Sequence, residues 1–427
     1  MLDIKFIKEN KDIVTAAIKN KNIKAPIDLD RLFVLYDERQ AKRTQLDELN
    51  QKRNLAAGER NIEEGKRLKE ESTEIETAFE AINKEFMAMM LLIPNIPSPD
   101  TPVGPDESGN VVIRKWGEPK VFDFTPKEHF ELGKALDVID NETAGEVAGA
   151  RFTYLKGDLA LMQFALIQYA FSVLTNKTIL EQIARTANID IAITAFMPII
   201  PPVFIKPAVF NRMARLEPRD ERYYIPSDDL FLIGSAEHTI GPIHMDQIIE
   251  EKDLPKRYVG YSTAFRREAG TYGKDTKGIL RMHQFDKIEM ETFCLPERSM
   301  VEQDFIVAIQ EYLMQQLQLP YQVILICTGD MGAPDYRQLD IETWLPGQNK
   351  YRETQTADLM GSYQARRLNT RVRRIDGKVE PVHMNDATAF AIGRTLIAIM
   401  ENYQQADGSI KVPDVLKLYL GKDSITH

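Results

Sequence analysis

From Asp28 to about Ile93 the chain carries no proline and repeats apolar residues at helical intervals, a pattern too long for anything but extended helices. In the second half of this stretch Leu68, Ile75, Ile82 and Met89 recur every seven residues. Ala78 and Leu92 fall near the intervening positions, and Phe79 and Phe86 widen the stripe. The first half offers Leu32, Leu35, Leu46 and Leu49 but places Arg39 and Lys42 at seam positions. An antiparallel hairpin turning between Ala56 and Ile62, around Gly58, is the economical arrangement, because each helix then covers the other's stripe. Roughly 30 residues per helix at about 1.5 Å rise give an arm on the order of 45 Å long. Arg39 to Lys69 holds nine basic and five acidic residues, whereas Glu70 to Glu85 holds six acidic and one basic, so the outer part of the arm is the basic part. Periodicity alone fits a solvated helix pair that merely dimerises as well as it fits one that grips an anion.

The stretch LLIPNIPSPDTPVGPDESGN follows, whose five prolines and two glycines forbid both helix and regular strand. It reads as a linker. With 427 residues available, the expected division is an N-terminal domain over 1–100, containing the hairpin at about 28–93, and a second domain over 101–427. In the second domain strand-like runs such as Tyr321 to Thr328 alternate with helical stretches such as Met300 to Leu317 and Ala389 to Tyr403, which makes it mixed α/β. Cys294 and Cys327 are the two cysteines, which excludes a disulfide framework and a zinc quartet. His238 and His244, with five residues between them and no further ligands, do not make a zinc site. The N-terminus lacks a basic stretch followed by an apolar run, and no run of eighteen apolar residues occurs, so the expectation is a cytoplasmic chain with no membrane partner. The net charge of −10 neither supports nor excludes a nucleic-acid partner, which needs only a local basic surface.

The most informative segment is FRREAGTYGKDTKGILRMHQFDKIEMETF, Phe265 to Phe293. Two strand-like runs there flank a loop containing Gly270, Gly273 and Gly278. It reads as a hairpin with Arg266 and Glu268 on the outgoing strand and Phe285 and Glu289 on the return strand. Arg257 to Lys287 includes seven basic and three acidic residues, so a polyanion is a plausible neighbour of what would otherwise be an ordinary solvated hairpin. The segment closely resembles motif 2 of seryl-tRNA synthetases, with its FRSEAG, GRDTRG and HQFDKVE stretches. CTGDMG (Cys327 to Gly332), LDIETWLPGQNKYRE (Leu339 to Glu353), YQARRLN (Tyr363 to Asn369) and the motif 3-like run from Ala391 to Leu420 are similar to their counterparts too. The arm, with its DLDRL start near Asp28, resembles the family's tRNA-binding hairpin, so the similarity covers nearly the whole chain.

That resemblance implies a class II catalytic domain, an antiparallel sheet flanked by helices, behind the coiled-coil arm. It implies activation of L-serine by ATP with Mg2+, and transfer of serine to tRNA(Ser) and also tRNA(Sec), by a cytoplasmic homodimer. The catalytic arginines it points to are Arg266, Arg281 and Arg394. ATP would be held by Arg266, Arg267, Glu268, Arg281, Met282, Phe285, Glu353, Thr356 and Arg394, with Glu353 and Thr356 also on magnesium. Serine would be read by Ser235, Ala236, Glu237, Arg266, Glu289 and Thr388. Three places depart from the family pattern. Ser235 stands where threonine is common, Gln355 takes the second hydroxyl position of a REISS motif, and the stretch before the motif 1-like MPIIPPVFI, with Pro202, is longer than usual. The other readings are a non-catalytic relative on the same scaffold and a ligase loading a carrier protein. The retained charged residues argue against the first, and the intact arm against the second.

Overall fold

The computed structural model describes residues 1–269 and 277–426; the expected loop glycines Gly270 and Gly273 lie outside the described residues. The chain forms two compact units, Met1–Ile96 and Pro97–His427.

In the first unit two short helices, Ile4–Glu9 and Lys11–Asn20, precede the hairpin helices Leu29–Gly58 and Ile62–Leu92. Each long helix starts on a side-chain cap that satisfies an otherwise orphaned amide: Asp28 accepts from the Arg31 N–H and Asn61 from the Glu64 N–H. The turn is only Glu59 to Asn61, with Arg60 at φ 57°. The first helix buries Leu32, Leu35, Leu46 and Leu49, as the spacing requires. The second buries Leu68, Ser72, Phe86 and Met90, whereas Ile75, Ile82 and Met89 stay partly exposed. A strict seven-residue repeat drifts about 20° per heptad on a straight helix, so by the third heptad Met89 has rotated off the seam and Met90 faces it more squarely. Phe86 comes about five full turns after Leu68 and shares its azimuth. Arg39 tolerates a seam position because its guanidinium lies over the rings of Phe79 (5.5 Å) and Phe86 (5.3 Å) and donates to Asn83 Oδ1 at 2.7 Å.

The second unit is built on an eight-stranded sheet. In chain order the strands are β1 (Val111–Trp116), β2 (Met197–Ile199), β3 (Lys256–Phe265), β4 (Gln284–Cys294), β5 (Tyr321–Leu325), β6 (Arg337–Leu345), β7 (Lys350–Gly361) and β8 (His383–Ala391). Their spatial order is β1-β5-β6-β7-β8-β4-β3-β2, antiparallel throughout except for the parallel pair β3–β2. The helices Gly157–Leu174, Ser299–Gln316 and Ile392–Tyr403 pack their apolar residues with the sheet into the main core. Among the described residues Gly157–Leu174 is long and apolar enough to cross a membrane, but it buries Leu159, Met162, Leu166 and Val173 in that core.

The first two residues of the expected linker, Leu91 and Leu92, still belong to the second long helix; from Ile93 on it has no helix or strand beyond one short turn, Glu107–Gly109, before β1 begins. The helical stretch expected from Ala389 begins only at Ile392, because Lys287 and Ile288 of β4 pair with Ala391 and Phe390 and hold that segment in β8. The run expected to be strand through Thr328 ends at Leu325. The long segment ahead of β2 forms a helix, Lys177–Thr186, started by the Asn176 side chain and packed on Ser299–Gln316. Arg257 fastens the rest of that segment: it donates to the Ala192 and Thr194 carbonyls while pairing with buried Glu302 at 2.8 Å. His244 bonds to Tyr258 and Gln247, and His238 packs elsewhere. No cluster of three or more His, Cys, Asp or Glu able to hold a metal occurs among the described residues.

Candidate active site

Period-two alternation on β4 turns Phe285, Lys287 and Glu289 to one face. Beside them β8 contributes Thr388, β7 contributes Glu353, Thr354 and Thr356, and the helix after β8 contributes Gly393 and Arg394. With Arg266, Glu268, Glu237 and the segment Ile279–Met282 these residues line a cavity of about 190 Å³. A bulge shapes the Glu289 end of the cavity. Ile288 pairs with Phe390 but Glu289 with Thr388, so Ala389 is left over and Thr388 is re-aimed at its neighbour. Gln355 turns away from the cavity and donates to the freed Ala389 carbonyl at 2.7 Å, so the substituted hydroxyl position braces the bulge instead of facing the site.

Three arginines mark the other end of the cavity. Arg266 follows directly on β3. Its backbone N–H donates to the His283 carbonyl at 3.0 Å, its Nε to the Gly234 carbonyl at 3.1 Å, and its guanidinium lies 5.4 Å from the Phe285 ring centroid. Arg281 pairs with Glu268 at 2.6 Å and Arg394 with Glu353 at 2.7 Å. Arg266 and Glu268 were expected on the outgoing strand, yet β3 stops at Phe265. Glu268 sits at φ 53°, which is incompatible with a strand ladder and lets the carboxylate reach Arg281. Partial desolvation in the cavity opposes ionisation of Glu353, whose side chain is 47% exposed, but Arg394, Arg266 and Lys287 outweigh it and hold the carboxyl below its ordinary value.

At the other end a buried polar network surrounds Glu289, which is 2% exposed. Ser235 Oγ donates to Glu289 Oε1 at 3.0 Å and Thr388 Oγ1 donates to the same oxygen at 3.1 Å. Lys287 Nζ contacts Glu289 and donates to Ser235 Oγ at 3.0 Å. Burial pushes the Glu289 carboxyl up, and Lys287 works against it. Burial also works against the Glu237 anion, but His238, Lys287 and Arg215 hold that carboxyl below its usual value. His238 is driven down to about 3 by burial and by Arg222, Arg215 and Arg266. Its ring is therefore neutral near pH 7. Because Nδ1 accepts the Gly234 N–H at 3.1 Å, Nε2 carries the proton and faces Glu237 Oε1 at 3.4 Å.

Below this network Glu291, Asp386 and Asp358 stand directly opposite one another on β4, β8 and β7. Arg215 answers the row, reaching Asp386 at 3.2 Å and Asp358 at 3.3 Å. Glu291, fully buried, has no hydrogen-bond partner for either oxygen among the described residues. Burial and the adjacent Asp386 push its carboxyl well up, and burial likewise raises Asp386 to about 7 against the pull of Arg215.

The cavity thus gathers Arg266, Glu268, Arg281, Met282, Phe285, Glu353, Thr356, Arg394, Glu237, Glu289 and Thr388 from the sequence expectation. Three expected residues lie outside its lining. The Arg267 side chain is exposed, with its guanidinium 6.0 Å from the Tyr223 ring centroid, Ser235 acts through Glu289 and Lys287, and the Ala236 side chain is buried in a separate apolar cluster. Lys287, Arg215, Asp358 and Asp386 line the cavity without having been expected there. Alternation with Phe285 and Glu289 was a usable signal for Lys287; nothing in the local sequence marked Arg215.

An antiparallel sheet with arginines and a stacking ring on its open face defines a class II aminoacyl-tRNA synthetase core. The family profile "tRNA synthetase class II core domain (G, H, P, S and T)" matches residues 222–403. The profile "Seryl-tRNA synthetase N-terminal domain" matches residues 1–97. The serine–tRNA ligase of Dictyoglomus turgidum is 39% identical over 436 residues, covering 100% of this chain and 99% of its own. The chain therefore belongs to the seryl-tRNA synthetase family. The seryl-tRNA synthetase of Pyrococcus horikoshii, solved with ATP, superposes with a TM-score of 0.86 at 34% identity, covering 100% of this chain and 99% of that one. The cytoplasmic serine–tRNA ligase of Naegleria fowleri, solved with AMP, gives 0.82 at 29% identity with the same coverage.

Proposed function

We propose that this serine–tRNA ligase activates L-serine with ATP in the cavity between β4 and the helix Ile392–Tyr403, then passes the seryl group to tRNA(Ser) and tRNA(Sec). The observation that carries the reading is one cavity holding both a guanidinium-and-ring clamp, Arg266 over Phe285, and a buried hydroxyl-reading carboxylate, Glu289.

Adenine stacks on Phe285 and its amino group meets Glu268, while Arg266 spans the serine carboxylate and the α-phosphate, a task suited to a planar, permanently charged fork. The serine carboxylate is already ionised near neutral pH, so no general base is needed. Its oxygen attacks the α-phosphorus, the bond from that phosphorus to the bridging oxygen breaks, and pyrophosphate leaves toward Arg281 and Arg394. Both arginines are ion-paired before ATP enters, so phosphates replace Glu268 and Glu353 as their partners. Glu353 and Thr356, one carboxylate and one hydroxyl in the cavity lining, fit a magnesium ion that keeps most of its ligands from phosphate and water. Such an ion supplies charge neutralisation at the phosphates. Glu237 takes the serine ammonium. Glu289 and Thr388 take the hydroxyl, so alanine leaves a buried carboxylate unanswered, at about 1–3 kcal/mol. A terminal ribose hydroxyl of tRNA then attacks the seryl carbonyl carbon and AMP departs.

The arm of the first domain, 1–100, grips tRNA phosphates through its basic outer part and reads shape rather than an anticodon. Exposed Met197 (61%) and Ile200 (85%) at the β2 edge, next to Pro202, support a homodimer interface there. The enzyme works in the cytoplasm. No observation favours a non-catalytic relative.

Exchange of labelled pyrophosphate into ATP, run with serine, alanine, threonine or cysteine, tests the reading. Exchange that depends on serine is expected; none with any of the four amino acids would refute it.

A further inference from the structure

The nucleotide end of the cavity has two walls from distant parts of the chain: the segment Ile279–Met282, and Gly393 with Arg394 at the start of the helix Ile392–Tyr403. Behind them lies His129, 2% exposed and outside the cavity lining. Its Nε2 accepts the Ile279 backbone N–H at 3.2 Å. An accepting Nε2 makes Nδ1 the protonated nitrogen, and Nδ1 lies 3.1 Å from Glu401 Oε1. Glu401 is fully buried on the same helix as Arg394, two turns further along. It also accepts the His129 N–H at 3.1 Å and the Gly347 N–H at 2.9 Å, so its carboxylate is fixed from three directions.

Two glycines show how closely these parts approach. A Cβ on Gly278, at φ +70°, would lie 2.0 Å from His129 Nε2, and one on Gly393 would lie 3.4 Å from the Ile279 carbonyl oxygen. Asn141 adds a second hold, its Nδ2 donating to the Gly278 carbonyl at 3.1 Å.

We propose that His129 is a positioning residue for ATP: by joining Glu401 to the Ile279 backbone it fixes the wall that presents Arg281 and Met282 at a set distance from Arg394. The inference rests on the cavity being the ATP and serine site. Serine binds at the Glu289 end, which His129 does not touch, so the effect falls on one substrate. A histidine that only fills core space would affect both alike.

The test uses the full-length enzyme with KM values from pyrophosphate exchange. His129→Asn keeps an amide nitrogen near the Nδ1 position for Glu401 but removes the acceptor for Ile279, whereas His129→Gln places an acceptor near the Nε2 position. His129→Asn is expected to raise the KM for ATP about tenfold and that for serine less than about twofold. His129→Gln should bring the ATP value back to within about threefold of wild type, and Asn141→Ala should raise it about threefold. An unchanged ATP KM in His129→Asn, an equal rise for both substrates, or a Gln variant no better than Asn would overturn the proposal. If His129→Asn does not fold, an unchanged ATP KM in Asn141→Ala overturns it instead. Absence of exchange in the wild type would sink the functional reading and not this one, because ATP affinities of the same variants by calorimetry still decide it.

Discussion

Arg266 is held by the Gly234 carbonyl, a backbone group outside the proposed ATP contacts, whereas Arg281 and Arg394 are held by carboxylates that phosphate would replace. The first is a preorganised donor and the others are exchangeable ones. Replacing Arg266 by Lys keeps the charge but loses the planar fork. We expect kcat/KM for serine-dependent exchange to fall on the order of 10² to 10³, with the circular dichroism spectrum unchanged. Lys287 is the buried counter-ion of Glu289, so Lys287→Met leaves a buried carboxylate facing two hydroxyls and no cation. Urea unfolding should show a loss of about 3 kcal/mol, and a loss below about 1 kcal/mol would mean that Glu289 does not depend on it. The cavity residues were legible where they sit in a short motif on one strand, as Phe285 and Glu289 do. Arg215 was not, since its partners Asp358 and Asp386 come together only when β7 and β8 pair.

Among the elements, the arm was read correctly as a helix pair with its turn, but the seam was misplaced toward its end because a seven-residue count ignores the drift of a straight helix. The late start of the helix at Ile392 escaped the sequence for a different reason: alanines have no strand preference, and pairing with β4 decides them. Deleting 28–93 should leave serine-dependent exchange intact and abolish tRNA charging; unaltered charging would remove the arm's proposed role. The carboxylate row across β4, β8 and β7 has its own pH signature. Asp386 is raised from its ordinary value to about 7, so its contribution to stability is fully present below the unfolded value and is lost as pH rises through about 7. The stability of Asp386→Asn relative to wild type, from urea unfolding at a series of pH values, should therefore improve between about pH 4 and pH 7. A flat difference over that range would show that Asp386 ionises normally.

For the molecule as a whole, the sheet places Phe285 and Glu289 four residues apart on one strand, lining a single cavity, and these carry the proposed nucleotide clamp and serine reader. The exposed apolar edge at β2 predicts a dimer, and sedimentation at micromolar protein should give twice the 48.8 kDa chain mass; a monomer would assign that edge another role. The central claim is that one cavity aligns an amino acid's carboxylate with the α-phosphate of ATP. A crystal structure with the sulfamoyl analogue of seryl-adenylate tests it most directly. Adenine should lie against Phe285, the linking group at Arg266, the ammonium at Glu237 and the hydroxyl at Glu289 and Thr388. An analogue bound elsewhere, or bound here with its hydroxyl turned away from Glu289, would contradict the account.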